Sequence, residues 1–186
     1  KVVMIGEDEL ASGDLSKYNV IMTGVRAYER RRDLRAYNQR LLDYANAGGT
    51  VVVNYNKQEF NDAQYGPYPA KVGVRRVTDE NAPTRVLVPT HPVFTTPNTI
   101  TEADWKNWRQ ERGTYFLDPA DPRYTELVEF TEPFPYNAGP KLGALVEAKV
   151  GSGRWLYLGI GLWRQLPAGT DGAYRLMANI ISLGGK

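Results

Sequence analysis

Gly48-Gly49-Thr50-Val51-Val52-Val53-Asn54-Tyr55-Asn56 is the stretch on which the reading of the fold turns. A glycine pair ends a helix because glycine readily adopts the left-handed conformation found just past helix termini. The β-branched run directly behind it suits the pleated, buried surface of a strand. Upstream, Leu34, Tyr37, Leu41, Tyr44 and Ala45 recur at helical spacing, and Asp33 is placed to cap the start. Before that helix, Asn19-Val20-Ile21-Met22-Thr23-Gly24-Val25 is a second buried-strand pattern, closed by an arginine-rich loop. Strand, helix, glycine, strand is the signature of a parallel α/β unit.

Working outward from this unit, Val2-Val3-Met4-Ile5 is a short apolar run ending at Gly6 and predicts a further buried strand. Residues 57–69 read as a long loop. Strands are expected over 71–77, 84–88 and 126–130, and Thr101 with Asp104 forms a T-x-x-D capping box that predicts a short helix over 102–109. Residues 144–150 and 154–159, joined by Gly151-Ser152-Gly153, predict a β-hairpin. A last helix follows the loop over 167–172, with Ala173, Leu176, Met177, Ile180 and Ile181 on one face. The expected fold is one α/β domain whose mixed sheet is parallel early and antiparallel late, with flanking helices.

Composition narrows the function. The chain has 186 residues, the size of one domain, and 23 Lys plus Arg against 21 Asp plus Glu leave a net charge of +2. That balance argues against nucleic acid or an anionic membrane as a partner. No apolar stretch approaches a transmembrane span. With no Cys, disulfides, thiolate metal sites and a cysteine nucleophile are excluded, and a single histidine, His91, makes a zinc site improbable. No cofactor and no metal are expected.

The chemistry-bearing residues are few. In doubly wound folds ligands gather at the carboxyl ends of strands, where a tight turn often carries a nucleophile. Here that position holds Asn54-Tyr55-Asn56, none of which is a good nucleophile. His91, in Thr90-His91-Pro92-Val93, is either catalytic or a loop histidine bonded to backbone. Arg26, Arg30, Arg31, Arg32 and Arg35 can bind an anion or, with Glu29 and Asp33 interleaved, form a salt-bridge network. Tyr65, Tyr68, Trp105, Trp108, Tyr115 and Phe116 either stack on sugars or a protein partner, or pack the long loops onto the sheet.

Several stretches together resemble a known family. Residues 18–28 and 33–44 with Gly48-Gly49, then Gly66-Pro67-Tyr68-Pro69, 76–80, His91-Pro92-Val93, 110–113 and 163–169, are similar in order and spacing to the glutamine-amidotransferase-like domain at the carboxyl end of bacterial PIG-L (LmbE-like) deacetylases. The resemblance implies a flavodoxin-like, class I glutamine-amidotransferase-like and ThuA-like fold. It places the lost nucleophile at Asn54 or Tyr55, and it assigns the zinc-dependent deacetylase chemistry to a separate upstream domain carrying an HPDD motif. Here His91-Pro92-Val93-Phe94 stands instead, with no second His. The resemblance further implies that a first strand and helix precede the segment matching Lys1–Ile5. In a flavodoxin-like sheet that strand lies centrally, so its loss would open a gap of unpaired backbone groups unless a cleaved piece or a neighbouring chain filled it.

Three functions follow as expectations. The first is a non-catalytic accessory domain of a PIG-L-type N-deacetylase, partnered with the upstream domain or the missing amino-terminal segment and compatible with a homo-oligomer. The second is a carbohydrate-binding module with Arg26, Tyr28, Tyr68, Trp105 and Trp108 as ligand-binding residues. The third is a ThuA-like sugar-processing enzyme using His91, Glu111 and Arg112. The resemblance also implies a bacterial protein, from a family often found in exported proteins; the sequence leaves the compartment open.

Overall fold

The computed structural model describes residues 1–185. In chain order its helices are α1 (Glu7–Ser12), α2 (Ala27–Arg30), α3 (Arg32–Ala36), α4 (Asn38–Asn46), α5 (Pro92–Thr95), α6 (Leu162–Gln165) and α7 (Asp171–Ser182). The strands from the first half are β1 (Val20–Met22), β2 (Thr50–Asn54), β3 (Ala70–Val72), β4 (Arg76–Val77) and β5 (Thr84–Val86). Those from the second half are β6 (Gly113–Thr114), β7 (Leu117–Pro119), β8 (Tyr124–Glu126), β9 (Val128–Glu132), β10 (Gly139–Lys141), β11 (Leu145–Val150) and β12 (Gly153–Leu158).

The main sheet runs β1-β2-β12-β11-β8. Strands β1, β2 and β12 are parallel, while β11 is antiparallel to both β12 and β8. The expected mixed α/β architecture is therefore the one observed. All five residues of β2 are buried, as a strand covered on both faces requires. Alternation divides the interior in two. Val51, Val53, Val146, Ala148, Trp155 and Tyr157 face a layer formed by α1, α3 and α4, and the aromatic side chains Tyr28, Phe60 and Tyr65 pack into it. Val52, Leu145, Leu156 and Leu158 face the opposite layer, which holds α5, α7 and the smaller sheet β10-β9-β5.

Local departures from the sequence reading have local causes. The helix expected from Asp33 is two helices, broken at Tyr37 (ψ 17°), and Asp33 pairs with Arg31 rather than capping. The strand expected over 71–77 divides into β3 and β4, which pair with different partners, β7 and β6. That expected over 126–130 divides at Leu127 between the main sheet and the smaller one. The Thr101–Asp104 capping box forms, but its helix is a single 3-10 turn, Glu102–Trp105. On α7, Ala173, Leu176 and Ile180 are buried, whereas Ile181 is half exposed and lies off the packed face.

The segment 2–5 is not a strand. Val2 is 93% and Met4 87% exposed, because no strand edge lies beside them and an unpaired strand cannot satisfy its own backbone. The sheet itself is continuous, with no internal gap, and β1 forms its edge. In the parallel ladder Ile21 and Thr23 address β2, the Thr23 N–H donating to the Val52 carbonyl at 2.9 Å. Val20 and Met22 consequently turn their N–H and C=O groups to the open side.

Candidate functional site at the carboxyl ends of the parallel strands

Because β1, β2 and β12 run parallel and side by side, their carboxyl ends deliver residues 24–26, 54–57 and 159–163 to one pole of the molecule. Open α/β sheets bind their ligands outside these strand ends. Asn54, paired with Leu158, is buried at the end of β2. Its side-chain amide donates to the Thr23 carbonyl at 2.7 Å, and its backbone N–H donates to Thr23 Oγ1 at 3.3 Å. Asn54 thus ties β2 to β1 and presents no reactive group.

Beneath the pole a hydroxyl joins three segments. Tyr157 Oη accepts from the Asn56 N–H at 3.1 Å and donates to the Tyr115 carbonyl at 2.7 Å. Burial raises the Tyr157 phenol well above its ordinary range, so it stays protonated as a donor. The Asn56 side chain donates to the Asn54 carbonyl at 2.9 Å and accepts from the Tyr28 N–H at 3.0 Å.

Above this lattice sit three partly exposed rings. Tyr55 lies within 8° of parallel to Tyr115 at 5.9 Å between centroids, and 4.3 Å from Trp163. Tyr55 and Tyr115 rest on the aromatic core layer; Trp163 packs into neither core cluster. Lys57 Nζ stands 5.5 Å from the Tyr115 ring centroid. Two residues of the pole, Arg26 (φ 53°) and Tyr115 (φ 51°), have left-handed backbone that non-glycine residues adopt at a cost of about 1–3 kcal/mol. The Arg26 N–H donates to the Tyr55 carbonyl at 2.8 Å, and Arg26 Nε donates to Glu29 at 2.6 Å, which holds the guanidinium pKa above its ordinary value. Next to Trp163 in the chain, Arg164 donates from Nε to the buried Glu111 carboxylate at 2.8 Å, which also accepts from Arg76 at 3.2 Å. Glu59, in the 3-10 turn that follows β2, has one carboxylate oxygen buried without a hydrogen-bond partner.

The structure places the other expected site residues elsewhere. Tyr28 is fully buried, its hydroxyl donating to Asn38 Oδ1 at 2.5 Å. Trp105 and Trp108 are core residues, and Trp108 Nε1 donates to the Asp104 carbonyl at 2.9 Å. Their large apolar area is spent on packing the capping-box turn, Phe130 and each other. Tyr68 donates to the Lys149 carbonyl at 2.7 Å and is covered by the Arg123 guanidinium, 3.5 Å from its ring. Of the predicted ligand-binding set, only Arg26 lies at the pole.

The proposed enzyme residues do not converge. His91 caps α5, its Nδ1 accepting from the Val93 N–H at 3.2 Å, which leaves Nε2 to donate to Glu147 at 3.0 Å. Glu147 also accepts from Arg154 at 2.9 Å, and Arg154 pairs with Thr50, the first residue of β2. This trio therefore marks the amino end of the parallel strands, opposite the carboxyl pole. Burial works to raise the Glu147 carboxyl, but the hydrogen bond from His91 and the nearby Arg154 charge outweigh it and hold the pKa below its ordinary value. Arg112 is buried with its guanidinium donating to the Ala82 and Trp105 carbonyls at 2.6–3.1 Å, and desolvation lowers its pKa to about 10. Glu111 serves its own pair of arginines. Among the described residues no group of three or more His, Asp or Glu could hold a metal ion.

Sequence reasoning missed Trp163, Lys57, Glu59 and Tyr157. The signal for Trp163 was available: Gly159-Ile160-Gly161 closes β12, and the rule that directs attention to residues after β2 applies equally there.

No protein-family model matches the chain, and no curated protein sequence is similar to it. Solved structures are similar in fold. The cytoplasmic protein STM3548 from Salmonella typhimurium matches with a TM-score of 0.57 at 13% identity, over 97% of this chain and 75% of that one. A protein described as ThuA-like from Bacteroides uniformis matches at a TM-score of 0.49 and 17% identity, over 91% of this chain and 70% of that one. A β-galactosidase from Rahnella sp. R3 matches at 0.48 and 15% identity, over 91% of this chain. This chain spans about a fifth of that β-galactosidase, 22% of its length. The chain thus shares the mixed α/β fold of the Salmonella protein, with a central mixed sheet and flanking helices.

Proposed function

We propose that the chain is a non-catalytic accessory domain of a PIG-L-type N-deacetylase, which supports the catalytic domain through packing, assembly or substrate presentation. The observation that carries this reading is Asn54. At the strand end where a nucleophile would stand in an amidotransferase, its amide is committed to the Thr23 carbonyl at 2.7 Å. Around it, Asn56 and Tyr157 are likewise committed to backbone groups. The resemblance of the segments over 18–44 and 163–169 to the carboxyl domain of such deacetylases supplies the parent. The free edge of β1 is the place on this fold where the upstream domain or a preceding segment would dock, since Val20 and Met22 offer unpaired ladder groups there.

The test has two arms. The purified chain should release no ammonia from glutamine. Deletion of the domain from the parent deacetylase should lower its thermal stability, change its assembly state or raise its KM for the N-acetyl sugar. Glutaminase activity, or a parent unchanged in all three respects by the deletion, would refute the reading.

A further inference from the structure

We propose that the carboxyl pole is a saccharide-binding platform, with Tyr55 and Trp163 as its floor and Lys57, Arg26 and Glu59 as its polar rim. The inference deepens the accessory-domain reading and rests on it, for it names what such a domain would present to its parent.

Four observations converge on this one surface. The first is the rings: a pyranose presents a flat face of C–H groups, and a partly exposed aromatic ring is the surface that face stacks on. Trp163 is a large apolar side chain that joins neither core cluster and touches Tyr55 at 4.3 Å, so core packing does not account for it. The second is backbone strain. Arg26 and Tyr115 both hold left-handed backbone at this pole, and costs of this kind concentrate where a binding surface has to be held in place. The third is rigidity beneath the rings, where Tyr157 Oη fixes Asn56 and the Tyr115 carbonyl at 3.1 and 2.7 Å. A preformed platform loses little entropy when it binds.

The fourth is the polar chemistry of the rim. Glu59, in the 3-10 turn that follows β2, adds a carboxylate to this rim. Arg26 is paired with Glu29, and Arg164 and Arg76 share Glu111, so most positive charge at the pole is already compensated. Lys57 is in none of these ion pairs, and the Glu59 carboxylate opposes an incoming phosphate. This balance disfavours a nucleotide, which needs several free cations together, and suits an uncharged ligand rich in hydroxyls. Apolar faces joined to many hydroxyls describe a neutral oligosaccharide.

The test is calorimetric and NMR titration of the chain with cellotetraose, maltotetraose and N-acetylchitotetraose, with ATP as the anionic comparison. At least one tetrasaccharide should bind and shift the amide signals of residues 55–57, 115 and 163. Trp163→Ala should weaken that binding at least tenfold, Trp163→Phe should restore most of it, and Ile181→Ala, half exposed on α7 towards the amino end of β2, should leave it unchanged. Circular dichroism of Trp163→Ala should match that of the parent chain, since the side chain is outside both core clusters. The inference is overturned if none of the three tetrasaccharides binds, if binding survives Trp163→Ala, or if ATP alone binds. Because binding is measured on this chain and the accessory role by deletion from the parent, the two readings fail separately. A parent impaired by deletion whose domain binds no saccharide would refute only the platform.

Discussion

Trp105 and Trp108 are 6% and 2% exposed, and at that depth an indole is a packing element whatever its chemistry suggests in a loop-rich sequence. Trp108→Ala should therefore cost about 3–5 kcal/mol in denaturant unfolding, the range for emptying a buried aromatic site. His91, Glu147 and Arg154 form a second residue-scale device. Glu147 has its folded pKa held below the ordinary carboxylate value of 4.5, so its contribution to stability is fully present above that value and is lost as pH falls through the lower, folded pKa. Unfolding midpoints in urea should drop between pH 6 and pH 3, and Glu147→Gln should flatten that slope while costing on the order of 2 kcal/mol at pH 7, since Arg154 loses its charge partner and one of the two donors loses its acceptor oxygen. A slope identical in both proteins would show that other carboxylates carry the acid response.

At the scale of elements, the connection that positions the pole is the Tyr157 hydroxyl, which reaches from β12 to the turns after β2 and β6. Tyr157→Phe leaves the Asn56 N–H and the Tyr115 carbonyl without this partner, at a cost of about 1–3 kcal/mol. Amide exchange at residues 55–57 and 115 should accelerate more than in β11. Gly143, with φ of +93°, lets β7 lie against the entry to β11. A Cβ there would sit 1.9 Å from the Leu117 carbonyl oxygen, so Gly143→Ala should destabilise by more than Trp163→Ala does, as thermal unfolding will report. This is also the scale at which the sequence was most legible. The Gly48-Gly49 stop, the Thr50–Val53 run and the hairpin around Gly151 are local signals, and each carries its own period and punctuation. The division of 126–130 between two sheets is decided by partners distant in sequence, so no local pattern announces it. Of the site, Asn54 and Tyr55 were legible through topology. Trp163 and Tyr115 come together only because β12 and the segment between β6 and β7 meet in three dimensions.

The main sheet ends at β8 on one side and at β1 on the other, where one row of β1 ladder groups has no strand beside it. The exposed Val2, Val3 and Met4 pair with no strand either. An edge of this kind pairs with whatever extended chain it meets, and proteins commonly guard it with charge, proline or a bulge. Val20, Ile21 and Met22 carry none of these. The consequence is colloidal. With a net charge of +2 and a pI near 8.7, the isolated chain has little mutual repulsion to keep such edges apart. Its solubility should be lowest between about pH 8 and 9 and should rise on acidification to pH 6, in the window where the fold is still intact. Light scattering across that range would record the trend. Replacing Val2 and Met4 with lysine should move the minimum to higher pH without shifting the unfolding midpoint, because those side chains are exposed. The stickiness of the bare domain and its capacity to take up a partner strand would then be one property, read under two sets of conditions.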